Sequence, residues 1–220
     1  MHFLCLHGTG TTSKILEIQT AALRYELGDG HTFDFAEGSF RISLDPELQE
    51  IAPNEDSGFS YFDLDRTKTT LQSVDDLETF IEEEGPFDGV LAFSQGIIVA
   101  TTLLLRCVRQ KREMPFKCAL FFSPRLGPMD EDVYSKTGEV KEVDFETVRQ
   151  AVRIPVALIW GCRDQDAGKA REIQKIFWQE RLACYVHDGG HVVPGVGNQG
   201  DLLGSVNIVR RVIGWVEGDS

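Results

Sequence analysis

The sequence predicts an α/β fold, a mostly parallel sheet with helices on both faces. Three observations carry this expectation. Short runs such as 87–93, 117–122 and 156–160 are apolar at nearly every position, as strands buried on both sides are. They alternate along the chain with segments of helical periodicity, the order that builds a parallel sheet. The chain has 220 residues and neither an internal repeat nor a linker-like tract, so one domain over 1–220 is expected.

Each element follows from local pattern. Residues 2–6 form a short apolar run ended by His7-Gly8-Thr9-Gly10, a strand and its turn. Ser13 is placed to cap a helix over 14–27, with Ile15, Ile18, Ala22 and Leu23 on one face and Gly28 as its stop. Residues 31–36 have strand composition. Residues 38–70 read as mostly irregular, interrupted by an aromatic cluster of Phe59, Tyr61 and Phe62. A helix is expected over 74–84, stopped by Gly85-Pro86, then a strand over 87–93 and a helix from Gln95 to about 109. The strand over 117–122 leads into an irregular, charge-rich segment, 124–143. A helix near 145–152, a strand over 156–160, a helix over 167–180, a strand over 183–186 and an amphipathic helix over 202–216 complete the order.

Composition narrows the classes of function. The 35 acidic against 22 basic residues give a net charge of −13, a field that repels phosphate backbones and anionic lipid. Neither nucleic acid nor a membrane surface is therefore an expected partner. The five cysteines, Cys5, Cys107, Cys118, Cys162 and Cys184, are odd in number and show no zinc-ligand spacing. Packed free thiols in a reducing compartment are the expectation, Cys162 included. The chain opens straight into Phe3-Leu4-Cys5-Leu6 without a basic leader, and no run approaches the roughly 18 apolar residues of a membrane span. The expected address is cytoplasmic, with no metal and no cofactor.

The chemistry sits at strand ends, where parallel sheets bind ligands. Ser94 follows one strand in Ala92-Phe93-Ser94-Gln95-Gly96. Asp164 follows another in Gly161-x-x-Asp164, and His191 follows a third in Gly189-Gly190-His191. The order Ser, Asp, His is that of α/β-hydrolases. A nucleophile wedged between strand and helix needs small flanking residues, a demand that Ala92 and Gly96 meet. His191 would serve as general base, because imidazole titrates near working pH, and Asp164 would hold its tautomer. The backbone N–H of Gln95 at the helix start and that of Thr9 in the first turn are the candidate oxyanion donors. His187 competes with His191, and Asp166 and Asp188 compete with Asp164. His7 is read as shaping the first turn. Phe59, Tyr61 and Phe62 are open between core packing and an apolar substrate pocket, and 129–142 is a second candidate lid edge.

Together with His7-Gly8-Thr9-Gly10 and Gly189-Gly190-His191-x-x-Pro194, these motifs make the chain resemble the fungal serine hydrolase family across nearly its whole length. The resemblance implies a small α/β-hydrolase with little or no cap domain and a triad of Ser94, Asp164 and His191. It departs from the family pattern at Ala92, where glycine is usual. It further implies cleavage of an acyl ester or thioester through an acyl-enzyme, as in thioesterases of fungal polyketide pathways. A general short-chain carboxylesterase is the alternative enzyme, and a non-hydrolytic binding or cyclisation scaffold the alternative of another class. A substrate tethered to an acidic carrier protein would need a local basic patch, for which Lys111, Arg112 and Lys117 are the candidates.

Overall fold

The computed structural model describes residues 1–48, 52–54, 56–63 and 67–218. Six strands form one sheet: β1 (His2–Leu6), β2 (Thr32–Ala36), β5 (Gly89–Phe93), β6 (Cys118–Phe122), β7 (Val156–Gly161) and β8 (Leu182–His187). Their spatial order is β2-β1-β5-β6-β7-β8 and every neighbouring pair is parallel. The remaining strands, β3 (Phe40–Ser43) and β4 (Ser57–Ser60), pair antiparallel as a separate ribbon. The helices are α1 (Ser13–Gln19), α2 (Ala21–Leu27), α3 (Thr67–Glu84), α4 (Gln95–Gln110), α5 (Glu131–Thr137), α6 (Ala167–Ile173) and α7 (Gln199–Gly218).

The period-2 geometry of the strands splits the core in two. Leu4, Leu6, Val90, Ala92, Phe121 and Leu158 point to the face covered by α3, α4 and α6. Phe3, Cys5, Leu91, Phe93, Phe122 and Ile159 point to the other face, against α1, α2 and α7. Both faces are therefore dry, as the continuous apolar runs predict. No helix among the described residues is long and apolar enough to cross a membrane.

Several local expectations are corrected. The helix over 14–27 is two helices broken at Thr20, whose Oγ1 turns back to donate to Leu16 O at 2.8 Å. Such bonding competes with helix continuation. The cap of α1 is Thr12, whose Oγ1 accepts from Ile15 N, while Ser13 binds Glu37 instead. Residues 38–70 carry the β3–β4 ribbon and the start of α3 rather than staying irregular. The candidate lid edge 129–142 contains α5, capped by Asp130, and no helix forms at 145–152, which is a series of turns. The helix over 167–180 stops at Ile173 and continues as short 3-10 turns. Cys5, Cys107 and Cys118 are buried free thiols, but Cys162 and Cys184 are exposed.

Candidate active site

The carboxyl ends of β1, β5, β6, β7 and β8 converge on one crevice. Ser94 sits between β5 and α4 with φ 52° and ψ −113°, a left-handed conformation that costs a non-glycine residue about 1–3 kcal/mol. Its N–H donates to Phe122 O at 3.1 Å, anchoring the turn on β6. The turn is tight on the α4 side: a Cβ at Gly96 would lie 2.6 Å from Leu6 O. Ala92, by contrast, sits inside β5, paired with Leu6 and Phe121, where a methyl group is accommodated.

Asp164 and His191 meet through a second close approach. A Cβ at Gly161 would lie 2.2 Å from Gly189 O, so only glycine lets the end of β7 touch the loop after β8. Across that contact Arg163 N donates to Gly189 O. Asp164 Oδ2 then lies 2.8 Å from His191 Nδ1, and Asp164 Oδ1 accepts from Asp166 N at 2.9 Å. A carboxylate can only accept, so Nδ1 carries a proton, and in the neutral ring the lone pair then lies on Nε2. The carboxylate of Asp164 is almost fully buried, while His191 is partly open to the crevice and packs its ring on Phe93 at 5.0 Å.

The rival residues have other partners. His187 is buried, its Nδ1 accepts from Gly189 N at 3.0 Å, and burial lowers its pKa. Asp166 pairs with Arg125 at 3.0 Å, and Asp188 is exposed, its N–H bound to Asp201. His7 is fully buried and binds Gly8 O, Gly38 N and Glu37, consistent with its expected role in the turn.

Two pockets open onto Ser94 and share Thr9, Arg125 and Asp166. One, of about 490 Å³, is lined by His191, Asp164, Asp45, Glu47 and Arg163 among others. The other, of about 380 Å³, is bounded by Phe62, Gln95, Ile98 and Leu126. At the start of α4, Gly96 N donates to His7 O and Ile97 N to Ser94 O. The Gln95 N–H thus has no acceptor among the described residues, and helix position denies it one. Thr9 lines both pockets beside Ser94.

Of the aromatic cluster, Phe62 lines one of the two pockets on Ser94, and Phe59 and Tyr61 line neither. Tyr61 is buried with its hydroxyl bound to His7 N and Ala36 O, and Phe59 bridges to Gly10 and Thr11 from β4. Arg125, Ile98 and Leu126 escaped sequence reasoning. The signal for Arg125 was available, since Ser123-Pro124-Arg125 follows β6 and the strand-end rule applies there too.

Asp164, Asp166 and His191 offer potential metal-ligand atoms within 4.8 Å of one another. Those groups are already engaged with each other and with Arg125. Of the basic residues offered for carrier docking, Arg112 pairs with Glu78 and Lys117 with Asp88, while Lys111 is exposed at the end of α4. They lie at the amino-terminal edge of the sheet, opposite Ser94.

A parallel sheet with a serine on a strained strand-to-helix turn defines the α/β-hydrolase class, and solved structures agree. A carboxylesterase from Mesorhizobium loti superposes with a TM-score of 0.59 at 17% identity, covering 97% of this chain and 88% of that one. Residues 1–200 match the family described as Serine hydrolase (FSH1), and the chain belongs to that family of hydrolases. Esterase FPY3 of Fusarium mangiferae is 33% identical over 199 residues, 89% of each chain. Esterase C25G4.2 of Caenorhabditis elegans is 26% identical over 212 residues, covering 92% of this chain and 90% of that one.

Proposed function

We propose that Ser94, His191 and Asp164 form a catalytic triad that cleaves an acyl ester or thioester through an acyl-enzyme. The observation that carries this reading is the 2.8 Å Asp164–His191 hydrogen bond beside a pocket shared with strained Ser94. His191 Nε2 takes the proton of Ser94 Oγ as the oxygen attacks the acyl carbon, then returns it to the departing alcohol or thiol. Water repeats the sequence to release the acid. The N–H groups of Gln95 and Thr9 stabilise the oxyanion, each worth about 3 kcal/mol in the transition state.

The two pockets divide the substrate. His191 protonates the leaving group and lines the 490 Å³ pocket, so the leaving group occupies that polar side. The acyl chain then occupies the 380 Å³ pocket beside Phe62, Ile98 and Leu126. An acyl-releasing thioesterase of fungal secondary metabolism, acting on a polyketide chain, is the reading that the motif resemblance favours. A short-chain carboxylesterase is the second reading, favoured by the small volume of the apolar pocket. Metal and cofactor have no part in either.

A fluorophosphonate probe tests the site. The adduct is expected on Ser94, with labelling lost in Ser94→Ala and His191→Ala while both variants keep the wild-type melting curve. An adduct elsewhere, or none in an active preparation, sinks the assignment. Relative kcat/KM for acyl thioesters and p-nitrophenyl esters of increasing length separates the two substrate readings. Preference for acetyl esters over long thioesters supports the second.

A further inference from the structure

The side chain of Gln95 is engaged in a way that its backbone N–H does not require. It is only 6% exposed. Oε1 accepts from Tyr61 N at 2.8 Å, and Nε2 donates to Ser60 Oγ at 2.9 Å and to Phe62 O at 3.1 Å, while the one proton of the Ser60 hydroxyl faces Phe62 O and, at 3.0 Å, Gln95 Oε1. The amide cannot be reversed, because Tyr61 N–H only donates and Phe62 C=O only accepts. Neighbouring backbone groups of opposite polarity thus demand a carboxamide, and a carboxylate would set oxygen against oxygen at Phe62.

All of these partners lie on the strip that leaves β4. Its far end, Phe62, walls the 380 Å³ pocket beside Ser94. Its middle residue, Tyr61, receives His7 N at 3.0 Å and donates to Ala36 O at 3.0 Å, with its ring 4.8 Å from that of His7. Two residues before Tyr61, Phe59 accepts from Gly10 N and donates to Thr11 O. A single side chain, one residue from Ser94, therefore holds the strip that forms the apolar wall and braces both ends of the turn carrying Thr9.

We propose that the Gln95 carboxamide is the positioning residue that sets acyl selectivity, by fixing Phe62 relative to Ser94. The proposal rests on Ser94 as nucleophile and on the apolar pocket as the acyl site. A wall held by buried hydrogen bonds keeps one distance from the nucleophile, and an acyl chain is accepted or refused against that distance. Phe62 O accepts from both Gln95 Nε2 and Ser60 Oγ, and Gln95→Glu replaces the first donor with an oxygen that repels the carbonyl, a cost that the strip relieves by moving away.

The test compares wild type, Gln95→Glu, Ser60→Ala and Phe62→Ala on p-nitrophenyl acetate, butyrate and octanoate. Selectivity is read as the ratio of kcat/KM for the best and worst of these esters. It is expected to fall about tenfold in Gln95→Glu and about threefold in Ser60→Ala, which removes one Gln95 partner and the second donor to Phe62 O without touching the elbow. In the Phe62→Ala background, Gln95→Glu is expected to leave the ratio within about twofold of its parent, since the effect travels through Phe62. A merely structural role for Gln95 lowers all esters equally and leaves the ratio unchanged, which overturns the proposal. A further fall in the ratio of the double variant overturns it as well. If Gln95→Glu loses its cooperative melting transition, the ratio in Gln95→Met, which removes the amide without adding a charge, decides. Fluorophosphonate mapping of the wild type keeps the two failures apart. An adduct away from Ser94 removes the underlying reading, whereas an adduct on Ser94 with unchanged selectivity removes the role of Gln95 alone.

Discussion

Asp164 divides its oxygens between Asp166 N and His191 Nδ1, and that division predicts how single substitutions behave. In Asp164→Asn an oxygen still serves Asp166 N, but the amide nitrogen then faces His191 and turns Nδ1 into an acceptor. The proton moves to Nε2, the atom that must be free for the proposed role of His191 as base. A loss in kcat on the order of 10⁴ is expected, by analogy with measured triads, without loss of fold. Asp166→Asn, which disturbs only the pair with Arg125, and Asp188→Asn on the exposed loop should stay within about tenfold of wild type. Turnover of p-nitrophenyl acetate decides. If Asp166→Asn or Asp188→Asn is dead while Asp164→Asn is active, the acid is misassigned. The same scale covers Ala92, whose methyl is buried between β1 and β6. Ala92→Gly should keep activity, whereas Ala92→Leu should lose about 1–3 kcal/mol of stability to overpacking, measured by urea melts.

Contacts between elements set the next group of expectations. Gly161 is the contact point of β7 with the loop after β8, and Gly161→Ala must displace Gly189 to make room. The His191–Asp164 bond stretches first, so kcat should drop steeply while most of the sheet stays folded, as read by circular dichroism. Full activity in Gly161→Ala would mean that the loop yields without disturbing His191. On the opposite side of the molecule Arg106 of α4 binds Glu131 of α5 at 2.8 Å and Asp75 and Glu78 of α3 at 2.7 and 3.0 Å. Arg109 and Arg112 back up Glu131 and Glu78. Arg106→Met should therefore cost about 1–3 kcal/mol, less than an isolated buried pair would. Burial is the largest single influence on Glu78 and pushes its pKa up, but hydrogen bonds from Arg112 and Arg106 outweigh it and hold the carboxyl below 4.5. A depressed carboxyl stabilises the fold above its unfolded pKa and loses that contribution as pH falls through the folded one. Melting temperature should thus drop below about pH 4.5, and by less in Arg106→Met than in wild type. An equal acid-side drop in both proteins would mean that Glu78 is not responsible.

For the whole molecule, the parallel sheet gathers Thr9, Ser94, Arg125, Asp164 and His191 at one edge and leaves Lys117 and Arg112 at the other. The net charge of −13 surrounds that edge with a field that opposes anionic substrates. For an anionic thioester such as an acyl-coenzyme A, kcat/KM should rise as salt goes from about 0.01 to 0.15 M, where the screening length shrinks from about 30 to 8 Å. A neutral ester should respond little. Should the anionic substrate slow with salt instead, the local cations Arg125 and Arg163 in the crevice dominate the field.

What the sequence determined by itself is what local pattern encodes. Apolar runs marked β1, β5, β6, β7 and β8, strand composition marked β2, and short-range turn chemistry put Ser94, Asp164 and His191 at three of the strand ends. Elements made by distant partners were not legible. The strands β3 and β4 have only four residues each and are joined by register between residues 40–43 and 57–60, so each alone looks like loop. Thr20 broke a helix through a side-chain bond that periodicity cannot register, and Cys162, expected to be packed because no elbow surrounds it, is exposed just past β7. The sequence favoured His191, in a glycine loop, over His187 at a strand end, and the tertiary structure shows that His191 meets Asp164 while His187 is buried with Gly189 N as its partner. The tertiary structure alone tied Gln95 to Ser60, Tyr61 and Phe62, more than thirty residues earlier in the chain. The physical reason is common to these cases. Propensity and period act over a few bonds, whereas hydrogen-bond partners and close approaches are chosen by how the sheet stacks its strands.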